Sequence, residues 1–183
     1  MSTHDDLKGD ERMFTGTVGR FVWAVVVVMF GYLASNSFAA DEAKASALSK
    51  ALAQVKLFAG LTDVERDALK AAATLRRGKA GERIIEQGTA LDRMFIILEG
   101  PAAVRVKGEH LVTLSGQSLV GEVEFLDMLP ASADVLLLKE TDLIELNCAA
   151  LTGLMQKHPR LGYVLMREIA TIEARRLRNT NPR

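Results

Sequence analysis

The chain has 183 residues, 49% of them hydrophobic and 5% aromatic, which suffices for one well-cored domain with an appendage and excludes two large ones. Lysine plus arginine and aspartate plus glutamate both total 23, so no bulk field directs the protein toward nucleic acid or an acidic surface. A single cysteine, Cys148, rules out an internal disulfide and any multi-cysteine metal site, and His4, His110 and His158 are too scattered to share a metal ion.

The first forty residues have the layout of a secretory signal. Arg20 precedes the apolar run FVWAVVVVMFGYLA, residues 21–34, and SNSFAADEA follows it, with small residues where a signal peptidase reads and acids just beyond. This predicts cleavage after Ala39 or Ala40. The residues before Arg20 mix acids with bases, and a start at Met13 instead of Met1 gives the cleaner leader. The rival reading is an uncleaved anchor, since residues 21–40 approach the roughly 20 that cross a bilayer, although Ser35, Asn36 and Ser37 count against it. A buried core helix is disfavoured by a valine run with no polar face. In both membrane readings the basic charge precedes the run, so the remainder is expected outside the cytoplasm: periplasmic after cleavage, or anchored at the inner membrane. Membrane contact is expected only through residues 21–40, if uncleaved.

Residues 41–56, DEAKASALSKALAQVK, form a helical lead-in with Leu48, Leu52 and Val55 on one face. In LFAGLTDVERDALKAAA, Thr62 is the expected N-cap and Glu65 closes a capping box, while Leu57, Phe58 and Leu61 pack that helix onto a neighbour. From Arg76 to Leu146 short apolar runs are cut by glycines. RIIEQ, MFIILE, AAVRV, LVTLS, DVLLLK and DLIEL read as strands of a small antiparallel β-roll or jelly roll. After Cys148 the helical pattern returns. Pro159 opens a long final helix with Leu161, Leu165, Ile169 and Ile172 in one stripe, which predicts pairing with its copy in a homodimer; the other reading folds the stripe back on the roll. The basic tail REIATIEARRLRNTNPR is read as a solvated helix end. The expected fold is mainly β with flanking α, in residues 57–183.

This order resembles the cyclic nucleotide-binding domain family of catabolite-activator-type regulators, kinase regulatory subunits and gated channels. The likeness runs from Leu57 to about Arg178 and rests on LFAGLTDVERDAL, AGERIIEQG, MFIILEG, LVTLSGQSLVGE and PASADVLLLKETDLIEL in succession. The resemblance implies a phosphate-binding cassette in GEVEFLDMLPASAD, residues 121–134. In the family a Gly-Glu pair is followed by a short helix and then Pro-Arg-Ser-Ala-Thr. The glutamate accepts from the ribose hydroxyl, and the phosphate meets backbone N–H groups and the arginine's planar fork.

The candidate site residues are therefore Gly121, Glu122, Val123, Glu124, Pro130, Ala131, Ser132, Ala133 and Asp134. Gly121, Glu122, Pro130, Ser132 and Ala133 match the pattern. Ala131 stands where the resemblance puts the arginine, Asp134 replaces a threonine or serine, and Glu124 takes the place of a small residue. One cation is lost and two anions are gained where a phosphate would lie. Like charges about 5 Å apart repel by about 3 kcal/mol at an effective dielectric near 20. The expectation is a non-catalytic regulatory, sensory or interaction domain, exported, with no cofactor and an unidentified protein or small-molecule partner, which is not an ordinary binder of cyclic AMP or cyclic GMP. The alternative is a genuine cyclic-nucleotide sensor anchored at the membrane, binding weakly or in another pose. An enzyme is disfavoured because no nucleophile sits beside a base, and DNA binding because no helix-turn-helix follows the long helix.

Overall fold

The computed structural model describes residues 41–180. The apolar run, the cleavage positions and both candidate starts lie outside the described residues. The elements below belong to the compact unit that begins at Ala43.

The helix α1 runs through residue 54 and leads by a 3₁₀ turn, Lys56–Phe58, to α2, Asp63–Ala68. At its start Thr62 N–H donates to Glu65 Oε2 (2.8 Å) and Glu65 N–H donates to Thr62 Oγ1 (3.3 Å). Two donors with no partner inside the helix are thereby satisfied, closing the capping box that the sequence predicts. Eight strands follow: β1 Ala73–Gly78, β2 Arg83–Ile85, β3 Arg93–Ile97, β4 Ala102–Val106, β5 Glu109–Leu114, β6 Ser118–Val120, β7 Asp134–Leu137 and β8 Thr141–Asn147. A short helix, α3 (Glu122–Asp127), joins β6 to β7, and α4 (Cys148–Lys157) and α5 (Pro159–Thr180) end the described chain. The strands form two four-stranded sheets of order β1-β8-β3-β6 and β2-β7-β4-β5, all pairs antiparallel. This is the β-roll with flanking helices expected from the sequence.

Side chains alternate across a strand, so the first sheet feeds two cores. Met94 and Ile96 of β3, Leu119 of β6, and Ile144 and Leu146 of β8 pack against the helices, with Leu52, Phe58, Leu69 and Leu151. Phe95, Ile97, Val120 and Leu143, one step out of phase, face the second sheet and meet Ile84, Ile85, Val135 and Leu137. Each buried leucine- or isoleucine-sized side chain contributes about 1.5–3 kcal/mol of apolar burial.

Two strands escape the sequence reading. The alanine run entering β1 favours a helix, and Arg76 and Arg77 disguise its apolar face. Pairing with β8 supplies what the local sequence lacks: Arg77 lies opposite Asp142, with Nη1 3.1 Å from Oδ1, and Arg76 reaches Glu145 and Glu82. β6 is three residues long and shows no periodicity of its own.

The final helix corrects the predicted stripe. Leu161, Leu165 and Ile169 are 0–1% exposed and belong to the helix-side core, with Ile172 half-buried beside them. These residues fold back on the roll and are already covered. The outward apolar residues of α5 are Tyr163, Met166 and Leu177. Among the described residues no helix is long and apolar enough to cross a membrane.

Candidate ligand site

The site begins at Gly121, whose φ of +84° is a left-handed turn that costs glycine little. A Cβ there would lie 3.3 Å from both Arg93 O and Met94 Cα, so the absent side chain also lets the turn pack against β3. This turn launches α3, and Glu122, its first residue, is carried inward and is 2% exposed. A cavity of about 600 Å³ opens beside it, within the size range of small-molecule sites.

Of the predicted site residues, Gly121, Glu122, Val123, Glu124, Ser132 and Ala133 line this cavity. Pro130 is exposed and Ala131 is 3% exposed in the inter-sheet core, and neither lines the cavity. The Ala131 backbone is clamped: its N–H donates to Thr89 O and its carbonyl accepts from Gly88 N–H, both at 2.8 Å. Asp134 is also turned away from the lining. Its Oδ1 accepts from Gln87 N–H at 2.9 Å and lies 3.8 Å from Arg83 Nε, while Val135, next along β7, faces the cavity. The charge change around the cavity is therefore smaller than the sequence suggests, because Asp134 is spent on the β2 side.

Glu124 remains. Its Oε1 accepts from both Ser132 N–H (2.8 Å) and Ser132 Oγ–H (3.0 Å). A carboxylate of this chain thus sits on a backbone amide and a hydroxyl at the cavity wall, in a charge-assisted arrangement typically stronger than a neutral pair.

Glu122 is held differently. Arg176 of α5 bonds its Oε1, and the same guanidinium donates to Glu173 Oε1 (2.8 Å) and Leu119 O (2.6 Å). Glu122 Oε2 is buried, with no hydrogen-bond partner among the described residues. Burial pushes the Glu122 carboxyl up to about 7; Arg176 opposes the shift and neighbouring Glu173 adds to it.

Sequence reasoning missed Arg176. It lies 54 positions from Glu122 in a basic tail read as solvated, yet its side chain is 37% exposed and lines the cavity with Asn179. Nothing local separates it from Arg175 or Arg178; only the phase of α5, set by Leu165 and Ile169, turns it inward. The remaining walls, Ile85, Val104, Leu111, Val112, Leu114, Val120 and Val135, come from strands whose alternation was legible but whose second sheet order was not.

The two-sheet roll, the turn at Gly121 and the buried glutamate at the head of α3 coincide with a family match: the model for the cyclic nucleotide-binding domain covers residues 75–158. Residues 75–158 form a domain of that family. The chain is 30% identical over 127 residues to glutaminase 2 of Bradyrhizobium diazoefficiens, covering 69% of this chain and 20% of that protein. It is 32% identical over 130 residues to a cAMP-dependent protein kinase regulatory subunit of Mycosarcoma maydis, covering 62% of this chain and 25% of that protein. The chain thus spans a fifth to a quarter of the length of these relatives. A cyclic nucleotide-binding domain from Methylobacillus flagellatus superposes with a TM-score of 0.64 at 21% identity, covering 74% of this chain and 79% of the other, and shares the fold.

Proposed function

We propose that this is a non-catalytic regulatory or sensory domain whose cavity takes something other than a cyclic-nucleotide phosphate. The observation that carries this reading is the Glu124 carboxylate on Ser132 N–H and Oγ–H. A phosphate entering there meets donors already taken by an anion, with no arginine at position 131 to outweigh it. Replacing that cation by a methyl group forgoes charge-assisted bonds of about 1.5–3 kcal/mol each.

The test is calorimetric titration of the full chain with cyclic AMP and cyclic GMP. Wild type is expected to show no binding below about millimolar, a free energy weaker than about −4 kcal/mol. Glu124→Ala removes one anion from the lining and frees the Ser132 donors, and is expected to bind measurably. Micromolar binding by wild type overturns the reading. A folded but inert variant indicates that the roll has lost the phosphate site's shape as well as its charge.

One observation favours the alternative sensor. Arg176 lines the cavity, and a guanidinium leaving Glu122 for a phosphate would replace the missing arginine from α5. Loss of micromolar nucleotide binding in Arg176→Ala would then mark that pose. Residues 21–40 are read as a cleaved export signal or anchor; the intact mass of the mature protein distinguishes the two.

A further inference from the structure

The cavity has an apolar lining that the fold leaves uncovered at its mouth. Ile85, Val104, Leu114, Val120 and Val135 supply its walls from five strands. Leu111 and Val112 of β5 continue that surface outward, and they are 67% and 44% exposed. Neighbours on a regular strand face opposite sides, so one of this pair should point away from the cavity. The register explains why both line it: Val104 pairs with Val112 and Arg105 with His110, which leaves Leu111 as an extra residue with no partner on β4. Such a bulge re-aims a side chain, and this one lies on an edge strand beside a cavity, a place where bulges concentrate. One exposed leucine means little, but two adjoining apolar side chains continuous with a cavity mark an interaction site. The charged lining is meanwhile engaged within the protein, Glu124 with Ser132, and Arg176 with Glu122, Glu173 and Leu119 O.

We infer that the cavity binds a neutral, largely apolar small molecule, which lies on the strand walls and is covered at the mouth by Leu111 and Val112. This rests on the reading that cyclic nucleotides are not the ligand. Volume, lining and charge converge on the class. About 600 Å³ is within the range of small-molecule sites. Covering Leu111 and Val112 stabilises the complex in proportion to the apolar area removed from water. An anion fares worst, since it meets the Glu124 carboxylate and finds the Ser132 N–H and Oγ–H taken. A cation enters beside the Arg176 guanidinium, and finds Glu122 paired with it and Glu124 holding two donors. Either charge must also leave water for aliphatic walls, whereas a neutral apolar body loses little on entering and disturbs no existing pair.

The experiment titrates the full chain with three probes sharing one aromatic body, naphthylethanol, naphthylethylamine and naphthylacetate, and with cyclic AMP as a fourth. In wild type the alcohol is expected to bind tightest, about threefold tighter than the amine and about tenfold or more tighter than the acetate. Leu111→Ser, at an exposed position on an edge strand, is expected to keep the fold and to weaken the alcohol about threefold to tenfold. Val112→Ser should act in the same direction. Leu138→Ser removes a leucine 46% exposed outside the lining, and is expected to leave the alcohol unchanged. No loss in Leu111→Ser, or an equal loss in Leu138→Ser, overturns the placement of the ligand at this mouth. Tightest binding by the amine or the acetate overturns the neutral class and leaves the cyclic-nucleotide reading untouched. If no naphthyl probe binds, the cavity is not an apolar ligand site. Micromolar cyclic AMP binding overturns the reading beneath it.

Discussion

The two halves of α5 are held by different physics. From Leu161 to Ile169 the helix is fixed by apolar side chains 0–1% exposed in the helix-side core, a contact indifferent to pH and salt. From Glu173 to Asn179 it lies over the cavity through Arg176, whose bonds to Glu122, Glu173 and Leu119 O depend on charge. The first half is therefore part of the scaffold. The second is conditional, because its anchor is a carboxyl whose ionisation falls near neutrality.

The largest effect should come from breaking the scaffold half. Leu165→Ala is expected to cost about 2–5 kcal/mol in denaturant unfolding, as a buried leucine truncated in a packed core. Ile169→Glu should abolish folding, by placing an unpaired charge where the side chain is 1% exposed. Retention of wild-type stability by either would show that this half does not pack on the roll.

The conditional half should show itself through pH. Glu122 rises from its ordinary 4.5 to about 7 in the folded state, so the native protein binds more protons than the unfolded chain between those values. Stability is then fullest below 4.5 and falls as pH rises toward 7, by roughly 3 kcal/mol if the whole shift is expressed. Glu122→Gln should remove this slope; an unchanged slope would assign it elsewhere. Glu65, held down to about 2 chiefly by its bond to Arg160, acts in the opposite sense and below this window, as stability lost on acidification from 4.5.

Arg176→Ala should cost less, about 1–3 kcal/mol above pH 7 where Glu122 is ionised, and a smaller amount near pH 5, where the carboxyl is protonated and the bonds to Glu173 and Leu119 O remain. A pH-independent cost would make Arg176 a packing residue only. The smallest effect on stability belongs to the outward face: Met166→Glu, at a site 37% exposed, should change unfolding free energy by no more than about 0.5 kcal/mol. It is also the change that dissociates a homodimer if α5 pairs through Tyr163, Met166 and Leu177. Light scattering that gives the same mass for variant and wild type would remove that face from any dimer.

The roll was legible because its strands carry period-two patterns bounded by glycine turns, and the capping box because Thr62 and Glu65 act within one turn. The cassette was legible as a segment and only partly as a site. Glu124 and Asp134 are alike in sequence, and the structure separates them: one carboxylate finds Ser132 eight positions on, the other finds Gln87 in the turn after β2. The stripe on α5 had the right period, but period alone does not say whether a helix buries that face on its own roll or on a copy. Arg176 was hidden because its meaning lies in a partner 54 positions away.

The central claim is that Glu124, rather than a phosphate, is the anion on Ser132, and the Ser132 backbone amide reports on it most directly. In amide NMR of the full chain, that resonance should move in Glu124→Ala and stay in place when cyclic AMP is added to about millimolar. A Ser132 amide that ignores Glu124→Ala and shifts saturably with micromolar cyclic AMP would contradict the account.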